Sequence, residues 1–151
     1  MNSIYRLIYK STSTEPVNPM MVKSIEEQSR DYNRCLEVTG ILVASQSEFL
    51  QVLEGRIEAV NQVYNKILRD KRHVDVTLLS YDLVEGRAFE DWSMKCVAIG
   101  LLGRWIDQHL QQKYGEVDAG FNIPQDGQRA FALLYDVRSF LKGAHPFTND
   151  G

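Results

Sequence analysis

GILVASQSEFLQVLEG, residues 40–55, consists of two apolar runs joined by a polar Ser45-Gln46-Ser47 link. Short runs of β-branched and apolar residues separated in this way read as a β-hairpin. Side chains alternate along a strand, so in the second arm Phe49, Gln51 and Leu53 share one face while Leu50, Val52 and Glu54 share the other. Both faces carry apolar groups, and each therefore needs cover from another layer. Gln51 is the anomaly. A primary amide is costly to bury unless its donors and acceptors find partners, and its sequence neighbours supply none.

Upstream of the hairpin, IYRLIY (4–9) reads as a strand and the STSTEP that follows as a turn-rich segment. Alternation sets Tyr5, Leu7 and Tyr9 against Ile4, Arg6 and Ile8. Asn18-Pro19 has the form of an N-cap with proline in the first turn. Val22, Ile25, Ser29, Tyr32 and Leu36 follow at helical spacing and predict a helix over 19–36, with Asn33 beside its buried face. Downstream, Val60, Val63, Tyr64, Ile67 and Leu68 give the clearest helical period in the chain. VDVTLLSYDLV (74–84) reads as a long strand and WSMKCV (92–97) as a short one. The order β-α-β-β-α-β-β is a ferredoxin-like α+β arrangement with an extra strand: a mixed five-stranded sheet with two helices on one face.

Those two helices cover only one face. From about residue 100 the chain offers two further amphipathic segments, Leu101, Leu102, Trp105, Ile106 and Leu110, then Ala130, Phe131, Leu134, Val137 and Leu141. The polar, glycine-containing KYGEVDAGFNIPQDG connects them. They predict a C-terminal helical pair that covers the second face or dimerises. The expected organisation is a sensor-sized domain over 1–98 and a helical extension over 99–151.

Of 151 residues, Lys and Arg supply 17 and Asp and Glu 20, a net charge of −3. That balance gives no electrostatic reason to expect nucleic acid or an anionic membrane as partner. No run approaches the roughly 18 apolar residues of a membrane span, and MNSIYRLIYK lacks the basic start and apolar core of a secretion signal, so a cytoplasmic protein is expected. Cys35 and Cys96 form no CxxC or metal-ligand spacing, which predicts reduced thiols and no metal. GxSxG, Walker and GxGxxG signatures are absent, and His73, His109 and His145 are scattered. Gly100-Leu-Leu-Gly103 matches a nucleic-acid clamp only in its letters, and the aromatic and basic consensus of RNA-binding sheets is missing.

What remains is a set of polar residues in apolar surroundings. Tyr9 ends the first strand, Gln51 sits inside the third, and Asn33 lies on the first helix. Each has an ordinary reading on its own: an amphipathic strand-end tyrosine, a solvent-facing glutamine, a surface asparagine. Together they would make a polar pocket between sheet and helices, with Ile25 and Ile67 as apolar walls. Such a pocket suits a flat heteroaromatic ligand with amide-like edges.

The sequence as a whole resembles the BLUF family, blue-light sensors using FAD. The resemblance covers about residues 3–98 and is carried by YRLIY at 5–9, Asn33 followed by VTG at 38–40, FLQVLEG at 49–55, LRDKRH at 68–73 and FEDWSM at 89–94. It implies a bound flavin chromophore, FAD, between the two helices. Tyr9 then matches the photoactive tyrosine, Gln51 the glutamine between it and the flavin, and Asn33 the asparagine at the flavin carbonyl and imide edge. Ile25 and Ile67 match positions flanking the ring. Lys66, Asp70, Arg72 and His73 match the polar stretch near the ribityl chain and phosphates, although the run also reads as a solvated loop, the preferred reading for Lys71. Trp92 and Met94 match the fifth-strand pair that passes the signal on; at i and i+2 they are expected to share one strand face, where they also read simply as core residues. Tyr32 departs from the family, where a small polar residue or histidine often precedes the asparagine.

The implied mechanism is reversible, light-driven proton-coupled electron transfer from Tyr9, after which the Gln51 amide is left rotated or tautomerised and the absorption moves to the red. About fifty residues follow the sensor, too few for a cyclase or phosphodiesterase domain. The resemblance therefore implies a photoreceptor and not an enzyme, acting through a homo-oligomer or a downstream effector protein. Two rival readings are a small ferredoxin-like flavin enzyme and a metabolite-binding regulatory domain. Dark turnover dependent on Tyr9 or Gln51 would mark the first, and a bound non-flavin ligand the second.

Overall fold

In the computed structural model, which describes residues 3–98, 104–117 and 120–143, the strand bearing Gln51 lies at the centre of a five-stranded sheet. Strands β1 (Ile4–Ser13), β2 (Thr39–Ala44), β3 (Glu48–Gly55), β4 (His73–Val84) and β5 (Lys95–Ala98) stand in the order β4-β1-β3-β2-β5. All neighbours pair antiparallel except β2 and β5, which run parallel. Helix α1 (Pro19–Cys35) follows β1 and α2 (Ile57–Leu68) follows β3. After β5 come α3 (Arg104–Tyr114), a small antiparallel pair β6 (Glu116–Val117) and β7 (Gly120–Phe121), and α4 (Gly127–Leu141). The ferredoxin-like order expected from the sequence is the order found.

Local chemistry fixes the elements. Asn18 Oδ1 accepts from the Met21 amide at 2.9 Å, and Pro19 opens α1 at no hydrogen-bonding cost. Gly40 is required by a close approach: a Cβ there would lie 2.0 Å from the Val52 carbonyl oxygen. The two sheet faces separate cleanly. Leu7, Tyr9, Leu42, Phe49 and Leu53 pack with Val22 of α1 and with Val60 and Val63 of α2. Ile8, Ile41, Val43, Leu50 and Val52 pack instead with Leu110 of α3 and with Ala130, Leu133, Leu134 and Val137 of α4. Each fully buried leucine or valine contributes about 1.5–3 kcal/mol. Of the two roles foreseen for the C-terminal segments, α4 takes that of covering the second face.

β3 ends in a buried carboxylate. Glu54 Oε2 accepts from Arg6 Nε at 2.7 Å and from the Ala88 amide at 3.0 Å, and its Oε1 accepts from the Phe89 amide at 2.7 Å. A buried charge survives only when paired and hydrogen-bonded in this way. Arg6 also lies 4.6 Å over the Phe131 ring of α4. The same loop is tied to the far end of α4 by Asp91, which meets Lys142 Nζ at 2.8 Å and Arg138 Nε at 3.3 Å.

The structure departs from the sequence expectations at four places. β1 does not stop at Tyr9: Ser11, Thr12 and Ser13 continue the ladder, because the buried Ser11 hydroxyl meets His73 Nδ1 at 2.8 Å and gains more there than in a turn. β5 begins at Lys95, not Trp92. The Trp92 carbonyl accepts from the Gly40 amide at 3.0 Å and the Ser93 carbonyl from Asn33 Nδ2 at 3.1 Å, so 92–94 follows the sheet edge without regular alternation. Trp92 and Met94 therefore do not share a face: Trp92 packs in the α4 layer and Met94 in the α1–α2 layer. The connector after α3 holds the β6–β7 pair. Leu101, Leu102 and the 98/99 boundary fall at or in the segment outside the described residues, as do the side chains of Trp105 and Ile106. Among the described residues no helix is long and apolar enough to cross a membrane.

Candidate functional site

Tyr9 and Gln51 are direct partners in the β1–β3 ladder, so their side chains leave the sheet on the same side. Both are almost fully buried, at 2% and 3% exposure, and the Tyr9 hydroxyl donates to Gln51 Oε1. The amide reaches in the other direction to Met94, with Nε2 to Sδ at 3.3 Å. Across the gap, Ile25, Ser29 and Asn33 recur every fourth residue along α1 and so face the sheet in one line. Asn33, 1% exposed, gives one donor to the Ser93 carbonyl. From α2, Val63, Lys66 and Ile67 close the space.

The result is one cleft with two lobes. The first lies between Tyr9, Ile25, Leu42, Phe49, Gln51 and Ile67, with Asp70, Arg72 and His73 at its rim. The second runs along Tyr32, Asn33, Val63 and Lys66. Ser29, Gln51, Ile67, Asp70 and Arg72 line both. Every residue expected to touch a ligand therefore borders the same cleft. Ser29, Leu42 and Phe49 were not singled out as ligand contacts. Their signal was present, since Ser29 continues the α1 stripe, Phe49 shares the alternation of Gln51, and Leu42 pairs with Gln51 across the hairpin. Met94 was expected only as an output residue and is a direct partner of Gln51; Trp92 stands on the other side of the sheet.

Burial raises the Tyr9 phenol well above the ordinary tyrosine value, with smaller contributions from Cys96, Tyr64 and Asp70. Its proton stays on Oη at neutral pH, and the phenol is a permanent donor to the amide. Burial likewise pushes the Cys96 thiol up to about 12. At the rim, the hydrogen bond from Arg72 holds the Asp70 carboxyl below its usual range, and Arg72 rises in return. The guanidinium meets both carboxylate oxygens, at 2.5 Å from Nη2 and 3.0 Å from Nε. His73 Nε2 lies 2.7 Å from the Ile67 carbonyl, which can only accept, so Nε2 donates to it, and Nδ1 meets the Ser11 hydroxyl. Lys66 Nζ sits 3.7 Å above the Tyr32 ring.

Among the described residues, the protein answers only part of the hydrogen-bonding capacity of the two buried amides. Each offers two donors and a carbonyl. Gln51 meets one phenol and one soft sulfur, and Asn33 meets one carbonyl. The remaining capacity borders a cleft with flat apolar walls, beside an oxidisable phenol. The site fits a planar ring whose edge alternates donors and acceptors, as an isoalloxazine does.

Comparison with known proteins agrees with this chemistry. The family model described as BLUF, sensors of blue light using FAD, matches residues 4–95. Photoactivated adenylate cyclase subunit beta of Euglena gracilis is 35% identical over 95 residues, which is 62% of this chain and 11% of that protein. The blue light- and temperature-regulated antirepressor BluF of Escherichia coli is 34% identical over 146 residues, covering 90% of this chain and 34% of that protein. The chain thus spans 34% or less of the length of these relatives. Among solved structures, the BLUF protein BlrB in its dark state has 26% identity and a TM-score of 0.72, covering 92% of this chain and 97% of that one. The photo-activated state of BlsA has 25% identity and a TM-score of 0.71 over 98% and 99% of the two chains. With the family model matched across strands β1 to β4, the Tyr9–Gln51 pair and the cleft beside them, the chain belongs to the BLUF family of blue-light sensors that bind a flavin.

Proposed function

We propose that the chain is a photoreceptor that holds FAD in the cleft and responds through Tyr9 and Gln51, without catalytic turnover. The observation that carries this reading is the buried chain Tyr9–Gln51–Met94, in which a phenol, an amide and a thioether are linked by hydrogen bonds. Ile25 and Ile67 would flank the ring, and Asn33 and Gln51 would answer its polar edge. Lys66, Asp70, Arg72 and His73 would border the ribityl and phosphate end. A bound flavin supplies light absorption in the blue and a strongly oxidising excited state.

The roles of the protein groups follow from their chemistry. Tyr9 is electron-rich, and its Oη–H is aimed at Gln51 Oε1, so electron loss from the ring and proton movement to the amide oxygen are matched. An amide that has exchanged a proton returns rotated or tautomerised, and either change alters what Nε2 offers to Met94. Met94 immediately precedes β5, which makes it the first element to sense the change. Trp92, two residues earlier, touches the layer of α4. We take residues 1–98 as the sensor and 99–151 as its output extension, acting in a homo-oligomer or on an effector protein in the cytoplasm.

The test is a difference absorption spectrum of the flavin-loaded protein before and after blue light. A reversible red shift with FAD as the extracted cofactor is expected. Protein that stays colourless after flavin supplementation, or an absorption that does not move, would overturn the reading.

A further inference from the structure

The cleft contains a second phenol. Tyr32 lines the lobe that also holds Asn33 and Gln51, so a light-excited oxidant seated there has two tyrosines in its walls. The two are wired differently. Tyr9 Oη donates to Gln51 Oε1, and a proton acceptor already lies on its hydrogen-bond axis. Tyr32 Oη instead receives a hydrogen bond from Gln62 Nε2 at 3.1 Å and, among the described residues, donates to none. Lys66 Nζ stands 3.7 Å above the centroid of the same ring. Gln62 and Lys66 lie four residues apart on α2, so both contacts come from one helix face.

An electron leaving a phenol makes the ring positive until the proton departs. At Tyr9 that charge is cancelled as the Oη–H proton moves to Gln51. At Tyr32 the proton has only water to go to, and meanwhile the ring is positive beside an ammonium. The attraction between the ammonium and the neutral ring face reverses into repulsion. At this separation the repulsion slows electron loss by about sevenfold even when fully screened by water.

We propose that Lys66 holds Tyr32 back as a competing electron donor and so directs light-driven oxidation to Tyr9, which makes it a specificity-determining residue of the photoreaction. This rests on the photoreceptor reading above. The suppressed step moves one electron from Tyr32 to the light-excited flavin, oxidising the phenol and reducing the flavin by one electron. It breaks the Tyr32 Oη–H bond with the proton passing to water, leaves the Gln51 amide untouched, and so returns to the ground state without a red shift.

The experiment compares flavin-loaded wild type, Lys66→Met, Lys66→Arg and Lys66→Met combined with Tyr32→Phe. It reads the fluorescence lifetime of the bound flavin and the quantum yield of the red-shifted state. Lys66→Met is expected to shorten the lifetime and lower the yield, the competing channel having accelerated about sevenfold. Lys66→Arg, which keeps a cation over the ring, should lose less of both readouts than Lys66→Met, and adding Tyr32→Phe to Lys66→Met should recover most of what that single change lost. A Lys66→Met lifetime equal to that of wild type, or a loss that persists with Tyr32→Phe, would overturn the proposal while leaving the photoreceptor reading intact. A wild type with no reversible red shift would overturn both.

Discussion

Replacing Tyr9 by phenylalanine deletes one oxygen from the centre of the site and leaves the ring in place. The ring remains packed by Tyr64 and His73, at centroid distances of 5.7 and 6.1 Å, so the void is small. The cost lies in Gln51 Oε1, which loses its donor inside the protein, about 1–3 kcal/mol. Gln51→Leu costs a similar amount from the other side, by stranding the phenol. In the double variant two apolar groups face each other and nothing is stranded. It should therefore be more stable than the sum of the two single losses by about 1 kcal/mol or more. Urea unfolding at one fixed flavin concentration measures the cycle, since bound ligand adds to apparent stability. In light, both single variants should keep flavin and neither should form the usual red-shifted state. Additivity within about 0.3 kcal/mol would refute the buried hydrogen bond. A normal red shift in Tyr9→Phe would remove the tyrosine from its role.

Three further outcomes can be checked. The Asp91 carboxyl is held below its usual range by the hydrogen bond from Lys142 and by Arg138, so its contribution is present above the unfolded value near pH 4 and is lost as pH falls through the folded value. The stability difference between wild type and Asp91→Asn, followed by urea midpoints, should thus be flat above about pH 5 and shrink toward zero in acid; a gap that widens in acid would contradict the pairing. Of the two cysteines, exposed Cys35 should react quickly with a thiol reagent at pH 8, whereas Cys96, pushed up to about 12 by burial, should react only on unfolding. Equal rates would be the wrong answer. Gly40→Ala would place a methyl 2.0 Å from the Val52 oxygen and should cost more than the about 1–3 kcal/mol of ordinary overpacking; a variant within about 1 kcal/mol of wild type would show that the β2–β3 contact relaxes.

Much of the architecture was legible because two periods dominate the chain. Alternation placed Gln51 and Tyr9 in their strands, and the helical period found α1, α2 and α4. The pairing that brings Tyr9 opposite Gln51 was not legible, since register depends on contacts far apart in sequence. Trp92 and Met94 show why alternation fails at a strand boundary: it holds only where the ladder is regular, and here Gly40 and Asn33 capture the carbonyls of Trp92 and Ser93 before the ladder begins. The serines of β1 misled for a related reason. Their local preference for turns is outweighed by backbone pairing on both sides and by the His73 contact. The β6–β7 pair, two residues in each strand, is too short to carry any period. At the rim, LRDKRH suggested ligand contacts, but nothing in the run indicated that Asp70 and Arg72 would pair or that His73 would bind two protein groups.

β3 is bonded on both sides, to β1 and to β2, and its odd- and even-numbered residues face different layers. That gives the Ser45-Gln46-Ser47 link an unexpected sensitivity to length. A residue added or removed there that the turn does not absorb, and that slides β3 by one in the ladder instead, would invert the strand and carry Gln51 into the α4 layer while sending Glu54 among the residues of α1 and α2. A change of two residues would preserve the sides and shift only the position along the strand. The outcome of a length change that reaches the ladder should therefore follow parity rather than size, so the turn guards the side on which Gln51 stands as well as joining two strands.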